Sequence, residues 1–150
     1  MKYTLCLLAV LFLVSSCKNE ESNQIDNLSA DFDQLTEQTI EVHDEVMPKM
    51  GDLMELSTQI DERSKVEDIS DEKRQELLFI KSDLDAAHTA MMDWMKDYST
   101  AFPYEAEEPS TKDELDKKMP VLQEYYNEME AVKEQINDAI AIAELALSGS

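Results

Sequence analysis

IDNLSADFDQLTEQTIEVHDEVMPKMGDLMELSTQI, residues 25–60, places Ile25, Leu28, Phe32, Leu35, Val42, Val46, Leu53, Leu56 and Ile60 on a pattern of alternating three- and four-residue steps. That repeat belongs to a helix burying one stripe against other helices, whereas a half-buried strand would alternate every second residue. Thr39 and Lys49 occupy the same stripe as polar interruptions. Two further runs follow, the first through Leu77, Ile80, Leu84, Ala87, Met91, Trp94 and Tyr98. The other takes in Leu115, Met119, Leu122, Tyr126, Met129, Lys133, Ile136, Ile140, Ala143 and Leu147. The spacing predicts helices near residues 25–63, 71–98 and 112–147.

The links support that division. Ser64 to Ser70 is short and polar, and Ser70 suits an N-cap ahead of Asp71 and Glu72. Ser99 to Ser110 contains Pro103 and Pro109, after which Thr111 and Glu114 have the spacing of a capping box. Short links make neighbouring helices antiparallel, so the expected fold is all-α, an elongated up-down-up three-helix bundle over residues 25–147. Pro48 and Pro120 fall inside helical patterns. Because the apolar phase continues through Pro48 and Gly51, a kink is expected there. A full break at Pro48–Gly51 would instead give four helices.

Residues 1–16 read as a leader. Lys2 supplies a positive start, Leu5 to Val14 is an apolar run too short to span a bilayer comfortably, and Val14-Ser15-Ser16-Cys17 follows. This resembles a bacterial lipoprotein lipobox, which implies that Cys17 becomes the acylated first residue and holds the chain to a membrane through lipid. An ordinary secretory signal or an uncleaved anchor is the competing reading. Residues 17–24 would form the lipidated cysteine and a flexible, solvated tether. Lys18 in place of an aspartate after the cysteine points to the outer membrane, and Lys18, Glu20 and Glu21 resemble the surface-export tether of Bacteroidota lipoproteins.

Charge narrows the partners. The formal charge is −21, and removal of residues 1–16 takes away Lys2 and no acid, leaving −22. Such a chain repels phosphate backbones and anionic lipid, so nucleic acid is not an expected partner. With Cys6 in the leader and Cys17 acylated, no intramolecular disulfide is available and packing must supply the stability.

Both histidines open the pattern His-x3-Met-x2-Met: His43, Met47 and Met50, then His88, Met92 and Met95. On the heptads, His43 and Met50 take position e and Met47 and Met54 take b. His88 and Met95 take e and Met92 takes b. In an antiparallel hairpin these edges lie side by side, with His43 opposite Met95, Met47 opposite Met91 and Met50 opposite His88. Imidazole and thioether form a soft donor set suited to Cu(I). An i, i+4 pair rises about 6 Å and can chelate, but seven residues rise about 10 Å, so each site needs a thioether from the other helix. The candidate sites are therefore His43, Met47 and Met95, and His88, Met92 and Met50. The alternative is that methionine fills the core or offers an adaptable surface to a protein partner, with no metal.

Other chemistries lack their residues. A di-iron bundle needs Glu-x-x-His, but Ile40 and Asp85 stand three residues before the histidines. A haem with His and Met axial ligands is conceivable in a bundle, but there is no c-type attachment motif after Cys17. A cysteine nucleophile and a glycine-rich phosphate loop are also missing. The expectation is a non-enzymatic protein. Trp94, Tyr98, Tyr125 and Tyr126 lie on or beside apolar stripes and are expected in the core, with Glu105 to Glu108 as solvated loop. Together the lipobox, three acidic helices, HDEVMPKM and AMMDWM resemble a group of small Bacteroidota lipoproteins often labelled viral A-type inclusion protein. That label reflects coiled-coil similarity; the resemblance implies a helical lipoprotein and no particular activity.

Overall fold

The computed structural model describes residues 15–149, with side-chain environments from Ser22 onward, and every regular element among them is helical. The expected leader, residues 1–16, lies almost entirely outside the described residues, as does the side chain of Cys17. Helix α1 runs Ser15–Val46, a single 3-10 turn covers Met47–Lys49, and α2 continues over Met50–Ser64. Helices α3 and α4 cover Asp71–Ala101 and Lys112–Ser148. The protein is all-α. No helix among the described residues is long and apolar enough to cross a membrane.

Each boundary has a local cause. Residues 17–24, expected as a flexible tether, are helical, because no glycine or proline interrupts the chain between Ser15 and Met47. At Pro48 the missing N–H and the ring clash tighten one turn to 3-10 without ending the run. The apolar phase survives that turn, with Val46 and Leu53 both buried. The Ser70 side chain accepts a hydrogen bond from the Lys73 N–H, capping α3. Thr111 and Glu114 form the full capping box on α4. Pro120 sits within α4, which continues through it.

All three apolar stripes face inward. The main core joins Val42 and Val46 of α1, Leu53 and Ile60 of α2, Leu77 to Trp94 of α3, and Met129 to Ala143 of α4. A second cluster lies nearer the start of α1, where Phe32, Leu115 and Leu122 are buried. Fully burying one such aliphatic or aromatic side chain is worth about 1.5–3 kcal/mol, so these stripes are the main source of stability. Val132 and Ala139 are also buried although neither belongs to the strict seam. Helix α4 packs against α1, α2 and α3, and contact with more than one neighbour widens its buried face.

The polar interruptions are answered one by one. Thr39 is fully buried and its hydroxyl donates to the Leu35 carbonyl at 2.7 Å. Lys49 donates to Asn137 Oδ1 at 2.6 Å, and Lys133 pairs with Glu45 at 2.9 Å. These two cross-helix contacts hold the 3-10 turn and the end of α1 in register with the middle of α4.

Candidate functional site

The edges carrying the two His/Met patterns lie side by side. Ser57, at an e position of α2, donates to Asp85, at a b position of α3, over 2.6 Å. One hydrogen bond thus joins the two flanks, e to b, where e beside e was expected. Lys81 also bonds Asp85 at 2.6 Å. The carboxyl is held below its ordinary range first by the Lys81 hydrogen bond, then by Ser57, with a smaller contribution from the charge of His88.

His43 is half-buried at the end of α1. Its ring stacks on Trp94 at a centroid distance of 5.7 Å and an interplanar angle of 26°. It therefore faces the residue before Met95, its expected opposite. The Asp44 carboxylate accepts a hydrogen bond from His43 Nδ1 at 2.9 Å. In the neutral ring that contact leaves Nε2 as the nitrogen with a lone pair. His88 is also half-buried and lines a small pocket of about 200 Å³ with Leu53, Met54, Leu84, Asp85 and Thr89.

The thioethers divide into two groups. Met50 and Met95 pack against the main core, while Met47 and Met92 are 37% and 49% exposed. Met54, 58% exposed, shares the pocket with His88, whereas Met50, the residue expected opposite His88, turns to the core. No group of three His, Cys, Asp or Glu side chains that could hold a metal ion occurs among the described residues. A metal here would need thioether donors.

A larger concave surface lies beyond the histidines, between α1 and the α3–α4 connection. Trp94 links the two regions: it stacks on Tyr98 at 4.8 Å, meets Tyr125 edge-on at 6.4 Å, and donates from Nε1 to the Tyr125 carbonyl at 3.0 Å. Tyr98 and Phe102 follow at 5.3 Å, and Phe102 meets Phe32 of α1 at 6.2 Å. Phe32, Tyr98 and Phe102 line a groove of about 640 Å³. Asp33 and Glu37 edge it from α1, and Glu107 and Glu108 from the connection, against a single ammonium at Lys118. Tyr104 also lines it and is fully exposed. Burial raises the Tyr98 hydroxyl above its ordinary value. Tyr125 is raised too, chiefly by burial and further by the charges of Asp97, Glu128 and Glu124.

The aromatic residues expected in the core at 94, 98, 125 and 126 do pack there. The groove itself escaped sequence reasoning because its wall combines three separate segments. Its one local signal was Phe102-Pro103-Tyr104, two aromatic rings around a proline in a link where polar turn residues would suffice. No protein-family model, curated protein or solved structure matches this chain.

Proposed function

We propose that this chain is a non-enzymatic lipoprotein, anchored to the outer membrane through acylated Cys17, whose helical domain engages a partner protein along the methionine-bearing α2–α3 edge. The lipobox-like Val14-Ser15-Ser16-Cys17 and the residues after it support the anchor and its location, as does the resemblance to small Bacteroidota lipoproteins. The domain is read as an elongated up-down-up antiparallel bundle of three helices, α1 and α2 counting as one. Ser64 with Arg74, Ser57 with Asp85 and His43 with Trp94 support it, since position falls along one helix as it rises along the other. Glu45 with Lys133 and Lys49 with Asn137 rise together, as first and third helices of such a bundle should.

The observation that carries the partner reading is the exposure of Met47, Met54 and Met92 on adjoining helices. Flexible, polarizable thioethers on a surface adapt to another protein's apolar side chains. The surrounding negative charge favours a partner whose apolar contact surface is edged by Lys and Arg. A photo-crosslinking residue at position 54 or 92 should give one discrete adduct in cells, and one at exposed Ile142 on α4 should not. Equal, diffuse labelling from all three positions would refute the reading.

A second reading is Cu(I) binding at His43, Met47 and Met95 and at His88, Met92 and Met50. The Asp44 contact favours the first of these, because a carboxylate on Nδ1 is the common arrangement that orients an imidazole to ligate through Nε2, while the second would need Met50 to leave its core packing for His88. Titration with Cu(I) against a chromogenic chelator decides between them. Copper binding predicts competition that a His43→Ala, His88→Ala double variant loses. The partner reading predicts none in either form, with Met47→Leu and Met92→Leu both folding normally since that exchange conserves volume.

A further inference from the structure

We propose that the groove between α1 and the α3–α4 connection binds an amphiphilic organic cation, a molecule with an apolar body and an ammonium head. The floor supplies the first half of that chemistry, since half-buried Tyr98 and Phe102, 5.3 Å apart, with Phe102 6.2 Å from buried Phe32, present apolar surface beside exposed Ile40. A volume of about 640 Å³ suits a small molecule and exceeds what single ions or waters need. The rim supplies the second half. Asp33, Glu37, Glu107 and Glu108 oppose only Lys118, so an occupant must balance net negative charge while it covers the rings.

Cation and ring also attract directly, because the face of an aromatic ring is its negative side, and an ammonium within about 6 Å of the centroid is stabilised. Tyr104, fully exposed at the mouth, offers one more ring to such a head group. An anionic amphiphile would meet the same apolar floor and be repelled at the rim. A bare cation would meet the rim and leave the floor wet. Only the combination satisfies both halves, and the acidic surface raises the local concentration of cations around the groove.

The test uses three probes on the full chain, followed by amide chemical shifts in NMR: benzyldimethyloctylammonium below its micelle concentration, octylbenzenesulfonate at the same concentration, and tetramethylammonium. The expected result is saturable shifts from the first probe at Phe32, Phe102 and Tyr104, and no saturation at these residues with the other two. A Glu37→Gln, Glu107→Gln double variant replaces two exposed acids outside the core and should weaken the first probe about tenfold while leaving the rest of the spectrum in place. The inference is overturned if the first probe gives no saturable shift in the groove. It is equally overturned if octylbenzenesulfonate binds as well, or if the double variant binds with unchanged affinity.

Discussion

Trp94 is a buried ring that touches α1 through His43 and α4 through Tyr125, and its removal should be among the most damaging single changes in the domain. The indole is 6% exposed and stacks with both His43 and Tyr98, and Tyr125 meets it edge-on. Truncating a buried tryptophan to alanine costs about 3–5 kcal/mol in lost burial and residual cavity. Trp94→Phe keeps a ring in the stack and removes Nε1 together with its hydrogen bond. The Tyr125 carbonyl lies inside α4, where the helix supplies another donor, so this variant should lose only about 1–2 kcal/mol. Urea unfolding followed by circular dichroism at 222 nm measures both, because the helical signal does not depend on the missing fluorophore. A His43→Ala change made in each background isolates the stack, with an expected coupling of about 0.5–1.5 kcal/mol. A cost below about 1 kcal/mol for Trp94→Ala, or coupling indistinguishable from zero, would refute this account of the core.

Two further outcomes follow from single contacts. Asp85 has its folded-state pKa lowered, so its contribution is full above the unfolded value and disappears as pH falls through the folded one. The stability difference between the native chain and Asp85→Asn, less than about 1 kcal/mol near neutrality for so exposed a group, should shrink below about pH 4. Urea midpoints taken across that range check it, and a difference independent of pH would count against the Lys81–Asp85–Ser57 cluster. Gly51 lies in the first turn of α2 with an ordinary negative φ, and a Cβ there meets nothing within 4 Å. Gly51→Ala should stabilise the chain by about 0.5–1 kcal/mol by the same assay, and destabilisation would mean that the turn after Pro48 needs glycine's freedom.

The helices were legible in the sequence because their cause is periodic and local. The stripes from Ile25 to Ile60 and Leu77 to Tyr98 specify inward faces whatever surrounds them, and Ser70 and Thr111 mark helix starts by their side-chain acceptors. Phase alone set the two e edges beside each other, whereas the contact seen there joins an e position, Ser57, to a b position, Asp85. Rotamer direction could not be read from phase. Whether Met50 turns to the core or toward His88 is a choice of rotamer that the heptad phase leaves open. Lys49 and Lys133 looked like flaws in a stripe because their partners Asn137 and Glu45 are nearly ninety residues away.

The histidine region and the groove are best understood as two ends of one aromatic wall. His43 touches Trp94, Trp94 stacks on Tyr98, Tyr98 meets Phe102, and Phe102 reaches Phe32. Its contacts at His43–Trp94 and Phe32–Phe102 join α1 to α3 and the residue that follows it, where the more extensive contacts of α1 are with α4. The same rings that fill the core at Trp94 line the groove at Tyr98 and Phe102. The arrangement also explains why the two regions differ chemically. At the His43 end the wall finishes on one half-buried imidazole bonded to Asp44; at the Phe102 end it borders a groove edged by carboxylates.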